Sequence, residues 1–102
     1  MDIDDFQKQA LDSIAIRDKN LSALAHRGFG LTGEAGRVAE IIKKVIRDKN
    51  GTADSEDIAQ LQKRLGDTLY YIAVLAEYYD LDLSDIAKQN LKQSAEFKAS
   101  RT

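Results

Sequence analysis

The sequence predicts an all-α fold, a bundle of about four to five helices, and three observations carry that prediction. Proline is absent and glycine is limited to six of 102 residues. Ala, Leu, Ile, Lys, Gln, Glu and Asp dominate, a mixture that suits helix interiors better than pleated strands. Apolar residues recur every three or four positions along two long stretches, the period of a helix that buries one face.

The first helix is expected from Ile3 to about Arg17, with Ile3, Phe6, Ala10 and Ile14 at helical spacing. Asp2, Asp4 and Asp5 lie at its amino end, where the helix dipole favours negative charge. Asp18, Lys19 and Asn20 break the pattern, and a short helical piece spans Leu21 to His26. Gly28 and Gly30 then bracket Phe29 in an expected turn.

The second helix runs from Leu31 to about Lys49 on Leu31, Ala35, Val38, Ile42, Val45 and Ile46. Asn50-Gly51 ends it, because both residues tolerate the left-handed conformation. Asp54 or Ser55 is the expected N-cap of the third helix, and Glu56 and Asp57 fall in its first turn. Its stripe of Ile58, Leu61, Leu65, Leu69, Ile72, Leu75 or Ala76, and Tyr79 is expected to face the core. Asp82 or Ser84 caps a fourth helix carrying Leu83, Ile86 or Ala87, Asn90 and Leu91. One domain over residues 1–102 is expected, with its core at about 3–94 and a tail that frays beyond Ala95.

A net charge of −2, with acids and bases interleaved, leaves no footprint for duplex nucleic acid or an anionic membrane. No apolar run approaches the roughly 18 residues of a spanning helix, and the acidic start is unlike a signal peptide. The expectation is a cytoplasmic protein. Cysteine is absent, which excludes a disulfide frame, a thiolate zinc site and a cysteine nucleophile.

Two long helices joined by a short turn lie antiparallel. The pairs 34/67 and 37/64 are both centred on Asn50-Gly51, so Glu34 is expected level with Asp67 and Arg37 level with Arg64. Within each helix the two charges are three residues apart and share a face. Taken alone these are ordinary ion pairs of small energy.

The stretch from Gly30 to Lys44, then Arg64 to Ile72, then Leu83 to Leu91, resembles the MazG-like nucleoside triphosphate pyrophosphohydrolases. The resemblance covers roughly Leu24 to Leu91. It implies an all-α bundle completed as a homodimer or homotetramer, and hydrolysis of a (d)NTP to (d)NMP and pyrophosphate with Mg²⁺. The implied metal site is Glu-x-x-Glu on one helix and Glu-x-x-Asp on the next, four carboxylates suited to a hard cation. Glu34 and Asp67 match the outer ligands, and they would be the metal residues if Mg²⁺ binds at all. Arg37 and Arg64 stand where the two inner glutamates belong. Asn90 matches the last helix, whereas Gln93 and Phe97 stand where many relatives carry Lys and Arg.

At an effective dielectric of about 20 and ~5 Å, one arginine repels a divalent cation by roughly 6 to 7 kcal/mol. Two acids and two arginines already sum to zero. The expectation is therefore a catalytically impaired relative, a pseudoenzyme, that binds or sequesters a nucleotide or nucleotide signal through Arg37 and Arg64. An active Mg²⁺-dependent hydrolase using Glu34, Asp67 and an acid such as Glu40 is the alternative, and an interaction protein with a vestigial pocket is the third. Lys44 and Tyr71 join the candidate binding set, Lys44 for phosphate and Tyr71, or its neighbour Tyr70, for stacking on a base. The remaining tyrosines are expected to pack, His26 to sit at a turn or core edge, and Gly33 and Gly36 to serve close helix packing. Phe6 and Gln7 receive no role.

Overall fold

The computed structural model describes residues 1–101. Four α-helices follow in order, α1 (Ile3–Asp12), α2 (Leu21–Lys49), α3 (Ser55–Tyr78) and α4 (Leu83–Ser100), with no strand among the described residues. The all-α class is as the composition and periodicity predicted.

The backbone of the molecule is the α2–α3 hairpin. Asn50 and Gly51 adopt positive φ (52° and 85°) and turn the chain. Asp54 caps α3 in a reciprocal capping box with Asp57. Lys49 Nζ donates to both carboxylates at 2.7 Å, and hydrogen bonding to Lys49 holds the Asp54 carboxyl at about 2, below its ordinary value of 3.8.

One boundary differs from expectation at each end of the segment before the hairpin. α1 stops at Asp12, five residues early, because Ile14 leaves the helical path to join the core and the Ile16 carbonyl accepts from Arg27 Nη2 at 3.4 Å. The expected turn at Gly28–Gly30 is instead continuous helix. Each glycine costs a helix about 1 kcal/mol, which tertiary packing overrides here. Ala23 and Arg27 are fully buried one turn apart, and a Cβ at Gly30 would overlap the ring of Tyr71 on α3. Gly30 thus permits close approach of the helices. Gly33 and Gly36 do not, since an added Cβ at either meets nothing within 4 Å.

α1 lies on the C-terminal half of α3. Ala10 and Ile14 join Ala73, Val74, Ala76 and Leu83 in the core, with Phe6, Leu11, Tyr70 and Tyr71 packed against it. The buried Gln7 ties three elements together. Its Nε2 donates to the Ala73 and Leu81 carbonyls (3.1 and 2.8 Å), and its Oε1 accepts from Leu83 N at 3.1 Å. Asp82 makes no side-chain cap for α4; instead Asp4 of α1 accepts from Ser84 N and Oγ at 3.1 and 2.7 Å. α4 is therefore capped from α1, by Asp4, expected only to favour the dipole of its own helix, and by Gln7, which was given no role.

The stripe expected to face the core on α3 is largely uncovered. Ile58, Leu65 and Tyr79 are 56, 55 and 57% exposed, and Leu69 and Ile72 lie with them. The packing side of α2 runs through Arg27, Leu31, Glu34, Val38, Ile41 and Val45, so Ile42 and Ile46 are also turned out. α4 remains helical through Ser100, and of its residues only Leu83 is buried. The radius of gyration is 16.4 Å, against about 13 Å for a compact domain of this length.

Candidate functional site

Arg37, Glu34, Arg64, Asp67 and Lys63 form a chain of alternating charge across the middle of the hairpin. Arg37 Nη1 lies 3.4 Å from Glu34 Oε1, one helical turn back on α2. Arg64 Nη1 crosses from α3 to Glu34 Oε2 at 3.4 Å and lies 3.7 Å from Asp67 Oδ2. Lys63 Nζ closes the row on Asp67 Oδ2 at 3.0 Å. The two helices meet at the predicted register. The contact formed is the diagonal one, however, and the two guanidiniums do not stand as a free forked pair. The Glu34 carboxylate sits between them, one oxygen to each.

Exposure grades along this row. The Glu34 side chain is 15% exposed, Arg64 29%, Asp67 38% and Arg37 60%. The site is thus a shallow charged face whose carboxylate is its most sheltered member. Thr68 Oγ donates to the Arg64 carbonyl at 2.7 Å, a bond within α3. Four grooves in the molecule each draw lining from residues 72–93, and the quartet of Glu34, Arg37, Arg64 and Asp67 lies outside all of them.

The other candidate residues lie apart from the quartet. Lys44 pairs with Glu40 at 3.7 Å on the exposed side of α2. Tyr71 packs beneath Gly30 and meets His26 and Tyr70 edge-on at 5.8 and 5.2 Å between ring centroids. Asn90 is exposed on α4, lining a groove of about 510 Å³ with Leu81, Asp85, Ile86, Gln89 and Gln93.

The donor set does not fit a magnesium ion. Both acids of the quartet already engage Arg64, and an incoming cation would face two guanidiniums within reach of the same oxygens. Among the described residues no group of three or more His, Asp or Glu side chains is placed to hold a metal ion.

Sequence reading missed Arg27, whose side chain is fully buried. Its Nη1 donates to the Val74 carbonyl at 2.8 Å and to Glu77 Oε2 at 2.9 Å, and its guanidinium stands 5.5 Å from the Tyr78 ring centroid. Its Nε has no partner. Lys19 adds a second cation to Glu77 at 3.7 Å and binds Asp80 at 2.7 Å. A signal was present: Arg27 precedes Glu34 by seven residues, two turns along the same helix face.

This architecture defines an all-α helical-hairpin protein with a charged face at mid-hairpin. The chain belongs to the MazG nucleotide pyrophosphohydrolase domain family, whose model matches residues 27–96, a span from Arg27 through the quartet and most of α4. The chain is also similar to the gene 37 protein of Mycobacterium phage L5, with 39% identity over 74 residues. That stretch covers 72% of this chain and 65% of the phage protein. No solved structure matches it significantly. No helix among the described residues is long and apolar enough to cross a membrane.

Proposed function

We propose that this chain binds a nucleotide or a nucleotide-derived anion through Arg37 and Arg64 and turns it over poorly or not at all. The observation that carries the reading is the Arg64 contact with both Glu34 and Asp67. The two acids that match the family's ligand pattern are engaged by a guanidinium, so the positive charge of the site comes from side chains. Arginine presents several donors in a planar fork, suited to phosphate oxygens without an intervening cation. Such a protein sequesters or senses its ligand.

The test is calorimetric titration with a panel of nucleoside mono-, di- and triphosphates, with Mg²⁺ and with EDTA, alongside pyrophosphate release assayed in Mg²⁺ or Mn²⁺. Binding that persists in EDTA without release is the expected result. Binding abolished by chelation, or brisk metal-dependent release, would sink it.

A homodimer is the second part of the proposal. The uncovered face of Ile42, Ile46, Ile58, Leu65, Leu69 and Ile72 supports it, since apolar faces of this extent are ordinarily covered by a partner. Light scattering at micromolar concentration is expected to give twice the chain mass; a monomer contradicts it.

A further inference from the structure

We propose that Glu34 is a built-in competitor for the site's ligand, its carboxylate holding the place between Arg37 and Arg64 that an incoming phosphate takes. The inference rests on the arginine-binding reading above and specifies how that site is controlled. Binding is then an exchange of anions at a guanidinium pair.

The geometry distinguishes Glu34 from the other acid of the quartet. Its two oxygens are divided between two arginines on different helices, each at 3.4 Å. Charge-assisted N–H···O bonds close to about 2.7–2.9 Å when geometry allows, so both contacts are long. One short carboxylate spans a gap that it does not close. A phosphoryl group has an additional oxygen and more negative charge, and is free to settle at short distance from both guanidiniums. Asp67, by contrast, is drawn to Lys63 at 3.0 Å and reaches Arg64 only at 3.7 Å. It touches one arginine and is already neutralised.

Glu34 is also placed to persist. Its side chain is the least exposed of the row, at 15%, so water screens it less than it screens Arg37. Apparent affinity for a ligand falls by the fraction of time the competent state is populated. A carboxylate that occupies the arginines nine-tenths of the time weakens binding roughly tenfold. Removing Asp67 makes the same change in net charge without freeing a bridged pair.

The experiment is titration of inorganic pyrophosphate in EDTA into the wild type, E34Q, D67N and the double variant R37Q/R64Q. The competitor role calls for E34Q to bind roughly tenfold tighter than wild type, and D67N to change by about twofold or less. Binding to E34Q alone, with the wild type silent, supports it too. Equal or weaker binding by E34Q, or a gain in D67N as large as that in E34Q, overturns it. Absence of binding in both wild type and E34Q, or undiminished binding in R37Q/R64Q, overturns instead the arginine reading on which it stands. E34A, measured beside E34Q with thermal unfolding of each, separates a change in the site from a change in folding.

Discussion

Arg27 and Arg37 lie ten residues apart on the same helix and have opposite fates. Arg27 is fully buried among the Val74 carbonyl, Glu77 and Tyr78; Arg37 is 60% exposed and held by a single long contact to Glu34. The first stands where the 13–20 segment meets the hairpin through the Ile16 carbonyl, the second on the open middle of α2. A buried charge whose partners are all internal serves the fold. A charge left with one loose partner at the surface is available to a ligand. The first setting is made by the C-terminal half of α3 and the Ile16 carbonyl of the segment before α2.

Removing Arg27 should have the largest effect on that contrast. Arg27→Met leaves Glu77 inside the packed end with only Lys19 nearby, and breaking a buried ion pair costs about 3–5 kcal/mol. Urea unfolding is expected to show a loss of that size, whereas Arg37→Gln should shift the midpoint by less than about 1 kcal/mol equivalent. Equal effects would erase the distinction between the two ends.

The glycines sharpen it next. Gly30→Ala drives a methyl group into the Tyr71 ring and is expected to destabilise by about 1–3 kcal/mol, as overpacking does. Gly33→Ala, with open space around it, is expected to stabilise by up to about 1 kcal/mol through helix propensity. Thermal melts of the two variants should move in opposite directions. A loss at Gly33 would mean that another chain approaches α2 there.

The smallest effect belongs to the turn. The Asp54 carboxyl is held at about 2, chiefly by its hydrogen bond from Lys49. Its folded pKa lies below its ordinary value of 3.8, so its contribution is present above about pH 4 and lost as pH falls toward 2. Asp54→Asn is expected to flatten the stability profile in that window and leave neutral ligand binding unaltered.

Local chemistry made much of the fold legible. Asn50-Gly51 stops α2, Asp54 caps α3, and the two centred pairs bring the four charges to one level of the hairpin, because capping, left-handed turns and helical period act within a few residues; that Glu34 would reach diagonally to Arg64 was not among the expected pairs. Glycine misled at 28 and 30, since a breaker signal is weak against buried neighbours and a ring pressed on the backbone. Arg27 and Gln7 were illegible as structural residues because, the Ile16 carbonyl aside, their hydrogen-bond partners lie 47 to 76 positions away.

The amino-acid sequence by itself determined the helical class, the hairpin and its register, and the clustering of two acids and two arginines at mid-hairpin. Only the tertiary structure decided which apolar stripe is covered, that α1 caps α4, and that Glu34 separates the two arginines. Periodicity records that a helix has a face, while what that face meets depends on chain segments brought near by folding.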